Sequence, residues 1–162
     1  MLRLIDDIVD FSRLDKNELS LNKEDIALNS LVHQVKSQFP GLKRKYEKKH
    51  LGLVFKTPKP ATDNIFLHTD IQRLQQILTN LISNALKYTD KGKVEMGYTF
   101  LEKDHEIIFY VKDTGIGIRK EDHHRVFRRF NRLHDTRKTE FRGTGLGLAI
   151  FKHLVHMLDG HI

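Results

Sequence analysis

The chain has 162 residues, and its 39% hydrophobic and 30% charged residues are ordinary proportions for a globular domain. The absence of cysteine excludes disulfides and thiolate zinc sites, and no apolar run approaches the ~20 residues that a membrane-spanning helix needs. A net charge of +7 fits either a solvated basic surface or attraction to an anion, such as nucleotide phosphates or nucleic acid.

The first residues have the pattern of an amphipathic helix. Met1, Leu4, Ile8 and Phe11 follow the a and d spacing of a heptad repeat. Because two heptads fit a coiled coil as well as a helix that packs onto its own domain, the pattern leaves both interpretations open.

Short strands and one long helix are predicted in the segment that follows. Apolar residues within 19–26 indicate a short strand. A helix is predicted from near Asn29, with a polar cap at its first residues, to about His50. Further short strands are expected at 51–55 and 65–68, and prolines follow the first of these.

The most informative predicted helix begins after the capping residue Asp70 and runs from Ile71 to about Lys87. One face is apolar, and the opposite face carries Gln76, Asn80, Asn84 and Lys87. Such a polar stripe is ordinarily a solvent face, but asparagine is a poor helix former. Two asparagines four apart also present neutral amide oxygens, which suit Mg²⁺, and Lys87 could neutralise a phosphate.

The second half of the chain is predicted to begin with a β-hairpin. Residues 93–100 alternate between apolar and polar, and residues 107–111 form a more apolar strand. A helical turn is expected at 120–127, a loop without periodicity at 131–142, and a last helix at 146–158 that a glycine ends. Helices interleaved with antiparallel strands, without regular βαβ alternation, predict an α+β two-layer α/β sandwich.

Two glycine-rich segments flank the predicted loop. Asp113-Thr-Gly115-Ile-Gly117 follows an apolar strand, where a carboxylate could accept a hydrogen bond from an exocyclic amine and glycines permit tight turns and close ligand approach. Gly143-Thr144-Gly145-Leu146-Gly147 opens the last helix, where free backbone N–H groups could bind phosphate. By itself the first motif also fits a simple turn, and the second fits a flexible hinge.

Four motifs then follow one another in a fixed order along the chain. They are Asn80-Leu-Ile-Ser-Asn84-Ala-Leu-Lys87-Tyr88-Thr89, Asp113-Thr-Gly115-Ile-Gly117, Val126-Phe127-Arg-Arg-Phe130-Asn-Arg132, and Gly143-Thr144-Gly145-Leu146-Gly147-Leu148. Their order and spacing resemble the N, G1, F and G2 boxes of the ATP-binding domain of sensor histidine kinases, over about residues 70–158.

The resemblance implies a fold and a domain organisation. The fold is expected to be the Bergerat-type ATP-binding fold, in which a mixed, mostly antiparallel sheet packs on three main helices. Residues 1–15 would be a helical stub, the end of a second dimerisation helix with its linker, and residues 16–162 the catalytic domain. Compared with the family, the sequence is expected to be a fragment that lacks the first dimerisation helix before residue 1 and the last strands of the sheet after residue 162.

The resemblance also assigns roles to residues, with ATP and Mg²⁺ as cofactors. Asn84 is the expected Mg²⁺ ligand, and Asn80 occupies the position of the water-activating glutamate of related ATP hydrolases. The residues assigned to catalysis are Asn80, Lys87 and Arg132. The residues assigned to nucleotide binding are Asn84, Lys87, Tyr88, Asp113, Gly115, Gly117, Ile118, Phe130, Gly143, Thr144, Gly145, Leu146 and Gly147.

Two of these assignments have alternatives. Tyr88 fits a wall of the nucleotide site or a core aromatic residue, and Arg132 fits a contact to the γ-phosphate or a solvated side chain. Phe127 and Phe130 are predicted to anchor a short helix, which in the family fixes the loop that closes over ATP.

The implied function is transfer of the γ-phosphate of ATP to a histidine on the dimerisation helices of a homodimer, and onward to an aspartate of a response regulator. His105-Glu106 leads into a strand and is not a convincing acceptor, so the fragment is expected to bind nucleotide without phosphorylating itself. A cytoplasmic location is expected. An ATP hydrolase, a non-catalytic signalling scaffold and a nucleic-acid-binding module remain as alternatives, the last without a recognised motif.

Overall fold

Two small sheets and three helices make up the described part of the chain. The structure is a computed structural model, and it describes residues 19–57, 65–103, 105–130 and 145–162. The elements are β1 (Glu24–Ala27), α1 (Leu28–Lys45), β2 (Gly52–Lys56), β3 (Phe66–Thr69), α2 (Ile71–Tyr88), β4 (Lys93–Leu101), β5 (Glu106–Asp113), a 3₁₀ turn (Lys120–Asp122) and α3 (Gly147–Met157). The predicted stub at 1–15 and the predicted loop at 131–142 lie outside the described residues.

The strands form a mixed, mostly antiparallel arrangement. Strands β1 and β3 pair antiparallel in a two-stranded sheet. Strand β4 is the centre of a three-stranded sheet, parallel to β2 on one side and antiparallel to β5 on the other. The predicted hairpin of β4 and β5 and the α+β class are therefore confirmed.

The main core lies between the three-stranded sheet and helices α1 and α2. The alternation of β4 directs Val94, Met96 and Tyr98 into this core, where each is at most 3% exposed. Phe39 of α1 meets Phe55 of β2 edge to face, with ring centroids 4.8 Å apart. Burial of each such side chain contributes about 1.5–3 kcal/mol, which holds the helices on one face of the sheet.

Helix α2 begins where the sequence predicts. The Oδ1 atom of Asp70 accepts a hydrogen bond from Arg73 N at 3.0 Å, and its Oδ2 atom accepts one from Asn22 N at 2.9 Å. A single buried carboxylate thus caps the helix and ties it to the segment before β1. Farther along α2, Ile77 packs in a second apolar cluster with α3, so α2 is held from two sides.

Several predicted element ends were wrong. Helix α1 follows Ala27, which makes no side-chain cap, and it ends at Lys45 because the chain turns through Glu47 with φ of 56°. The first strand begins only at Glu24. By contrast, helix α3 agrees with the predicted range of 146–158 to within one residue at each end. Its closing turn uses Asp159, with φ of 61°, and then Gly160, whose N–H donates to Val155 O at 2.9 Å.

Candidate functional site

The polar stripe of α2 is neither fully solvated nor buried. Asn80, Asn84 and Lys87 are all half-buried and lie on one side of the helix. The ammonium nitrogen of Lys87 lies 6.0 Å from the centroid of the Tyr46 ring, at the end of α1. Two amide side chains and one cation therefore share a partly shielded surface, where polar contacts to a ligand are stronger than in open solvent.

The Asp113 turn packs directly against the end of α2. Ile116 N donates to Tyr88 O at 3.2 Å, and Gly115 N donates to Asp113 Oδ1 at 2.8 Å. The hydroxyl of Thr89 donates to the same Oδ1 atom at a longer 3.5 Å. Among the described residues Oδ2 of Asp113 has no hydrogen-bond partner, so one carboxylate oxygen holds the turn and the other is available to accept a bond.

Gly115 is required by the packing of this turn. A Cβ atom at Gly115 would overlap Tyr88 O and would lie 2.8 Å from Asp113 Oδ1. At Gly117 the requirement is conformational, because its φ is 68° and an added methyl group would meet open space. The first glycine thus allows the turn to approach α2, and the second allows the chain to leave the turn.

The segment after the turn carries both exposed apolar side chains and a buried carboxylate. Ile116 is 50% exposed and Ile118 is 47% exposed. Asp122 is buried, and its Oδ2 atom accepts from Arg119 Nε at 3.0 Å while Oδ1 accepts from Arg125 Nη1 at 3.5 Å. This ion-paired carboxylate fixes the 3₁₀ turn that leads away from the Asp113 turn.

The two predicted aromatic anchors behave differently. The ring of Phe127 stacks on that of Phe151 in α3, with centroids 6.2 Å apart, so the prediction of an anchor is confirmed there. Phe130 is 67% exposed and has φ of 56°, so it does not anchor the segment in the core. The prediction was wrong for Phe130 because three-residue spacing faces one direction only in a helix, and residues 127–130 form turns.

The start of α3 is described only in part. Gly145 has φ of 72°, Leu146 is 1% exposed in the cluster with α2, and Gly147 is the first helical residue. Any ligand contact by Leu146 would therefore come from its backbone. Arg132, Gly143 and Thr144 lie outside the described residues.

A carboxylate surrounded by lysines lies on the face of the sheet opposite the helices. Glu95 of β4 lies 3.5 Å from Lys56 and 3.6 Å from Lys93, and it pairs across the strands with Lys112. Desolvation raises the pKa of Glu95, but the three ammonium groups outweigh it and hold that pKa below its ordinary value of 4.5. This network supports the strand that ends in Asp113.

The sequence profile described as "Histidine kinase-, DNA gyrase B-, and HSP90-like ATPase" matches residues 69–162. The chain belongs to this ATPase family. The resemblance to the ATP-binding domain of sensor histidine kinases, inferred from the four motifs, is thereby confirmed together with the fold.

Several relatives in the family are sensor kinases. The autoinducer 2 sensor kinase/phosphatase LuxQ of Vibrio vulnificus is 34% identical over 166 residues, which cover 100% of this chain and 19% of that protein. The sensor histidine kinase WalK of Bacillus subtilis is 33% identical over 163 residues, covering 100% of this chain and 26% of that protein. The chain thus spans about a fifth to a quarter of the length of these relatives.

Solved structures support the same fold. ShkA, determined at full length in complex with AMPPNP, superposes with a TM-score of 0.78 and 26% identity, covering 98% of this chain and 31% of that one. The catalytic domain of the histidine kinase ThkA superposes with a TM-score of 0.67 and 25% identity, covering 85% of this chain and 82% of that one.

In this ATPase-family chain, the structure brings several of the predicted site residues together at the end of α2. Tyr88 and Asp113 meet at the end of α2 through Gly115 and Ile116, and Tyr88, at 44% exposure, is not a core aromatic residue. Two hydroxyls that the sequence did not single out, Thr89 and Thr114, also belong to this corner. Their partners lie more than 20 residues away along the chain, a relation that no local pattern reveals.

Acidic and histidine side chains do not gather into a metal centre within residues 19–57, 65–103, 105–130 and 145–162. In the same ranges no helix combines the length and the apolar character needed to cross a bilayer.

Proposed function

We propose that this chain is the ATP-binding catalytic domain of a sensor histidine kinase. It binds Mg²⁺-ATP and transfers the γ-phosphate to a histidine on dimerisation helices, from which an aspartate of a response regulator receives it. Residues 1–15 are proposed as the end of the second dimerisation helix with its linker, and residues 16–162 as the catalytic domain. The observation that carries the proposal is the geometry of Asp113 at the end of α2.

Adenine recognition is assigned to the second oxygen of Asp113. Because Oδ1 is occupied by Gly115 N and Thr89, Oδ2 is the atom that remains to accept the N6 amine of adenine. A carboxylate fixed in this way discriminates against a base without the amine, since the oxygen would then be desolvated without a partner. Tyr88, Gly117 and Ile118 would line the same end of the site.

Phosphate recognition is assigned to the polar stripe of α2 and to the start of α3. Asn84 offers a neutral amide oxygen, which is a donor that fits Mg²⁺ when phosphate oxygens and waters complete the coordination. Mg²⁺, when bound, neutralises charge on the phosphates during transfer. Lys87 would leave the Tyr46 ring for a phosphate, an exchange that gives up only about 0.5–1 kcal/mol of cation–π attraction.

The remaining phosphate contacts are proposed from the G2 segment. Backbone N–H groups of Gly143, Thr144, Gly145, Leu146 and Gly147 would meet phosphate at the positive end of α3. Arg132 would stabilise charge on the γ-phosphate, where its fork of donors suits the transferring group. Phe130, which is exposed, would contact the nucleotide.

Asn80 favours transfer over hydrolysis. It is half-buried one turn before Asn84, where the related hydrolases use a glutamate to activate water. An amide cannot take a proton from water near neutral pH, so Asn80 does not activate water for hydrolysis. Transfer to a separate nucleophile, the acceptor histidine, is therefore favoured. An ATP hydrolase remains the second candidate only if the chain alone turns ATP over.

The proposed partners follow from the reaction. They are the dimerisation helices of a homodimer, which present the acceptor histidine, and the receiver domain of a response regulator. A cytoplasmic location is proposed because ATP and the receiver domain are available there.

Calorimetric titration with Mg²⁺ and AMPPNP tests the proposal. Asp113→Ala should weaken binding at least tenfold, because a hydrogen bond to a charged group contributes about 1.5–3 kcal/mol. Asp25→Ala is the matched control, since Asp25 is an exposed aspartate on β1 that bonds His68 at 2.7 Å. Absence of binding by the unmodified chain would favour the scaffold interpretation. Equal binding by both variants would refute the role of Asp113.

A further inference from the structure

Thr114 lies within the Asp113 turn but bonds to a different part of the fold. Its Oγ1 atom accepts a hydrogen bond from Lys93 N, the first residue of β4, at 3.1 Å. The same hydroxyl lies 3.0 Å from Lys91 O and 3.4 Å from Lys93 O, and its single proton is donated to one of them. One side chain therefore bridges the turn to the beginning of the neighbouring strand.

The connection between α2 and β4 is shaped to receive this hydroxyl. Gly92 has φ of 104°, and a Cβ atom there would overlap Oγ1 of Thr114. The carbonyl of Gly92 is held in turn by Gly52 N of β2 at 2.9 Å. Only glycine satisfies both the backbone angle and the close approach, so the threonine and the glycine form one complementary contact.

The Asp113 turn is thus held from two directions. The end of α2 holds it through Ile116 N and Tyr88 O at 3.2 Å, and the start of β4 holds it through Thr114. Asp113 itself uses Oδ1 within the turn. Asp113 is the last residue of β5 and pairs with Val94 of β4, so the sheet holds its backbone. The two attachments hold the turn that follows, and with it Gly115 N, which donates to Oδ1 and so sets the direction of the carboxylate.

We propose that Thr114 is a positioning residue that sets selectivity for adenine. By fastening the turn to β4 it fixes the direction in which Oδ2 of Asp113 meets the base. The inference rests on the function proposed above, since it assumes that Asp113 accepts the amine of adenine. A purely structural role would instead change stability and leave the choice of base unaltered.

Binding of ADP and of inosine diphosphate distinguishes the two roles, because inosine carries a carbonyl in place of the amine. In Thr114→Val, affinity for ADP should fall about three- to tenfold, as expected for one lost hydrogen bond, while affinity for inosine diphosphate stays unchanged. Thr114→Ser keeps the hydroxyl and should retain the ratio of the unmodified chain. Thr99→Val, at an exposed position of β4, makes the same chemical change far from the turn.

Amide hydrogen exchange at Lys93 reports the attachment without any nucleotide, and it should be faster in Thr114→Val. The proposal would be overturned if the ratio of ADP affinity to inosine diphosphate affinity were the same in Thr114→Val as in the unmodified chain. It would also be overturned if this ratio fell as much in Thr114→Ser as in Thr114→Val. If the unmodified chain bound neither diphosphate, the proposed function would fail and the selectivity role with it. Faster exchange at Lys93 in Thr114→Val than in the unmodified chain would then show that the attachment exists and serves stability alone.

Discussion

The two ends of the proposed nucleotide site are built differently. At the adenine end, backbone and hydroxyl contacts of 2.8–3.5 Å fix the Asp113 turn against α2 and β4. At the phosphate end, Asn84 and Lys87 project from one helix, and Lys87 rests 6.0 Å from an aromatic ring. The proposed recognition of the base is therefore pre-organised, whereas the proposed phosphate contact of Lys87 would require that side chain to leave the Tyr46 ring when the ligand binds.

A substitution at Gly115 should have the largest effect on the fixed contacts of the adenine end. In Gly115→Ala the new methyl group would overlap Tyr88 O, so the turn has to separate from α2. We expect a loss of affinity for AMPPNP of at least about tenfold, because a small displacement of a positioning group has large effects. We also expect the free energy of unfolding to fall by about 1–3 kcal/mol, the usual cost of overpacking. Calorimetry and urea denaturation measure these two effects.

Gly97→Ala, in the middle of β4, is the matched control for that prediction. Its added methyl group would also overpack a neighbouring backbone, at 2.6 Å from Lys56 O, but at a position that is not assigned to the nucleotide site. Stability should therefore fall in both variants, and affinity should fall much less in Gly97→Ala. Equal losses of affinity would mean that contact between the turn and α2 does not determine base recognition.

A substitution at Lys87 should affect the phosphate end of the proposed site and leave the adenine end unaffected. Lys87→Ala should weaken binding of ATP about tenfold through the lost charge-assisted contact, and it should leave binding of adenosine unchanged. Lys36→Ala is the control, because Lys36 makes a comparable cation–π contact, 5.6 Å from the Phe55 ring, away from the site. Weaker adenosine binding in Lys87→Ala would show instead that the lysine supports the fold of the adenine end.

The sequence predicted the elements better than their contacts. Asp70 and the apolar stripe identified α2 almost to the residue, because capping and helical periodicity are local properties. Asp113 and Gly115 were assigned to the site from their motif, and that assignment stays a prediction. The contacts of Thr89 and Thr114 with this turn were not predicted. Contacts of this kind join residues 21–24 positions apart, and they become visible only when the end of α2 and the start of β4 lie side by side.

The same limit explains the different outcomes for the two aromatic residues of the F box. Phe127 and Phe130 are both phenylalanines, which commonly pack in a core, but the residue type alone determines neither the burial of the side chain nor the backbone angle. Phe127 reaches Phe151 because α3 passes beside it, while Phe130 turns outward with a positive φ. Only the path of the chain decides which ring packs.

A smaller effect, on stability as a function of pH, is expected at Glu95 of β4. Because Lys56, Lys93 and Lys112 hold the folded-state pKa of Glu95 below 4.5, the charged carboxylate stabilises the folded chain above its unfolded-state pKa. That contribution is lost as the pH falls through the folded-state pKa. Glu95→Gln should therefore be less stable than the unmodified chain at pH 7, and the difference should shrink as the pH falls below about 4.

Urea denaturation of both chains across this pH range measures the difference. Glu24→Gln, at an exposed position of β1, is the control for removal of one carboxylate and should show no such convergence. A gap between Glu95→Gln and the unmodified chain that stays constant down to pH 3 would refute the linkage. The two stabilities could converge while ADP binding weakens at acid pH in the unmodified chain but not in Glu95→Gln. That result would mean that the network of Glu95 and its lysines helps to keep the Asp113 turn in place.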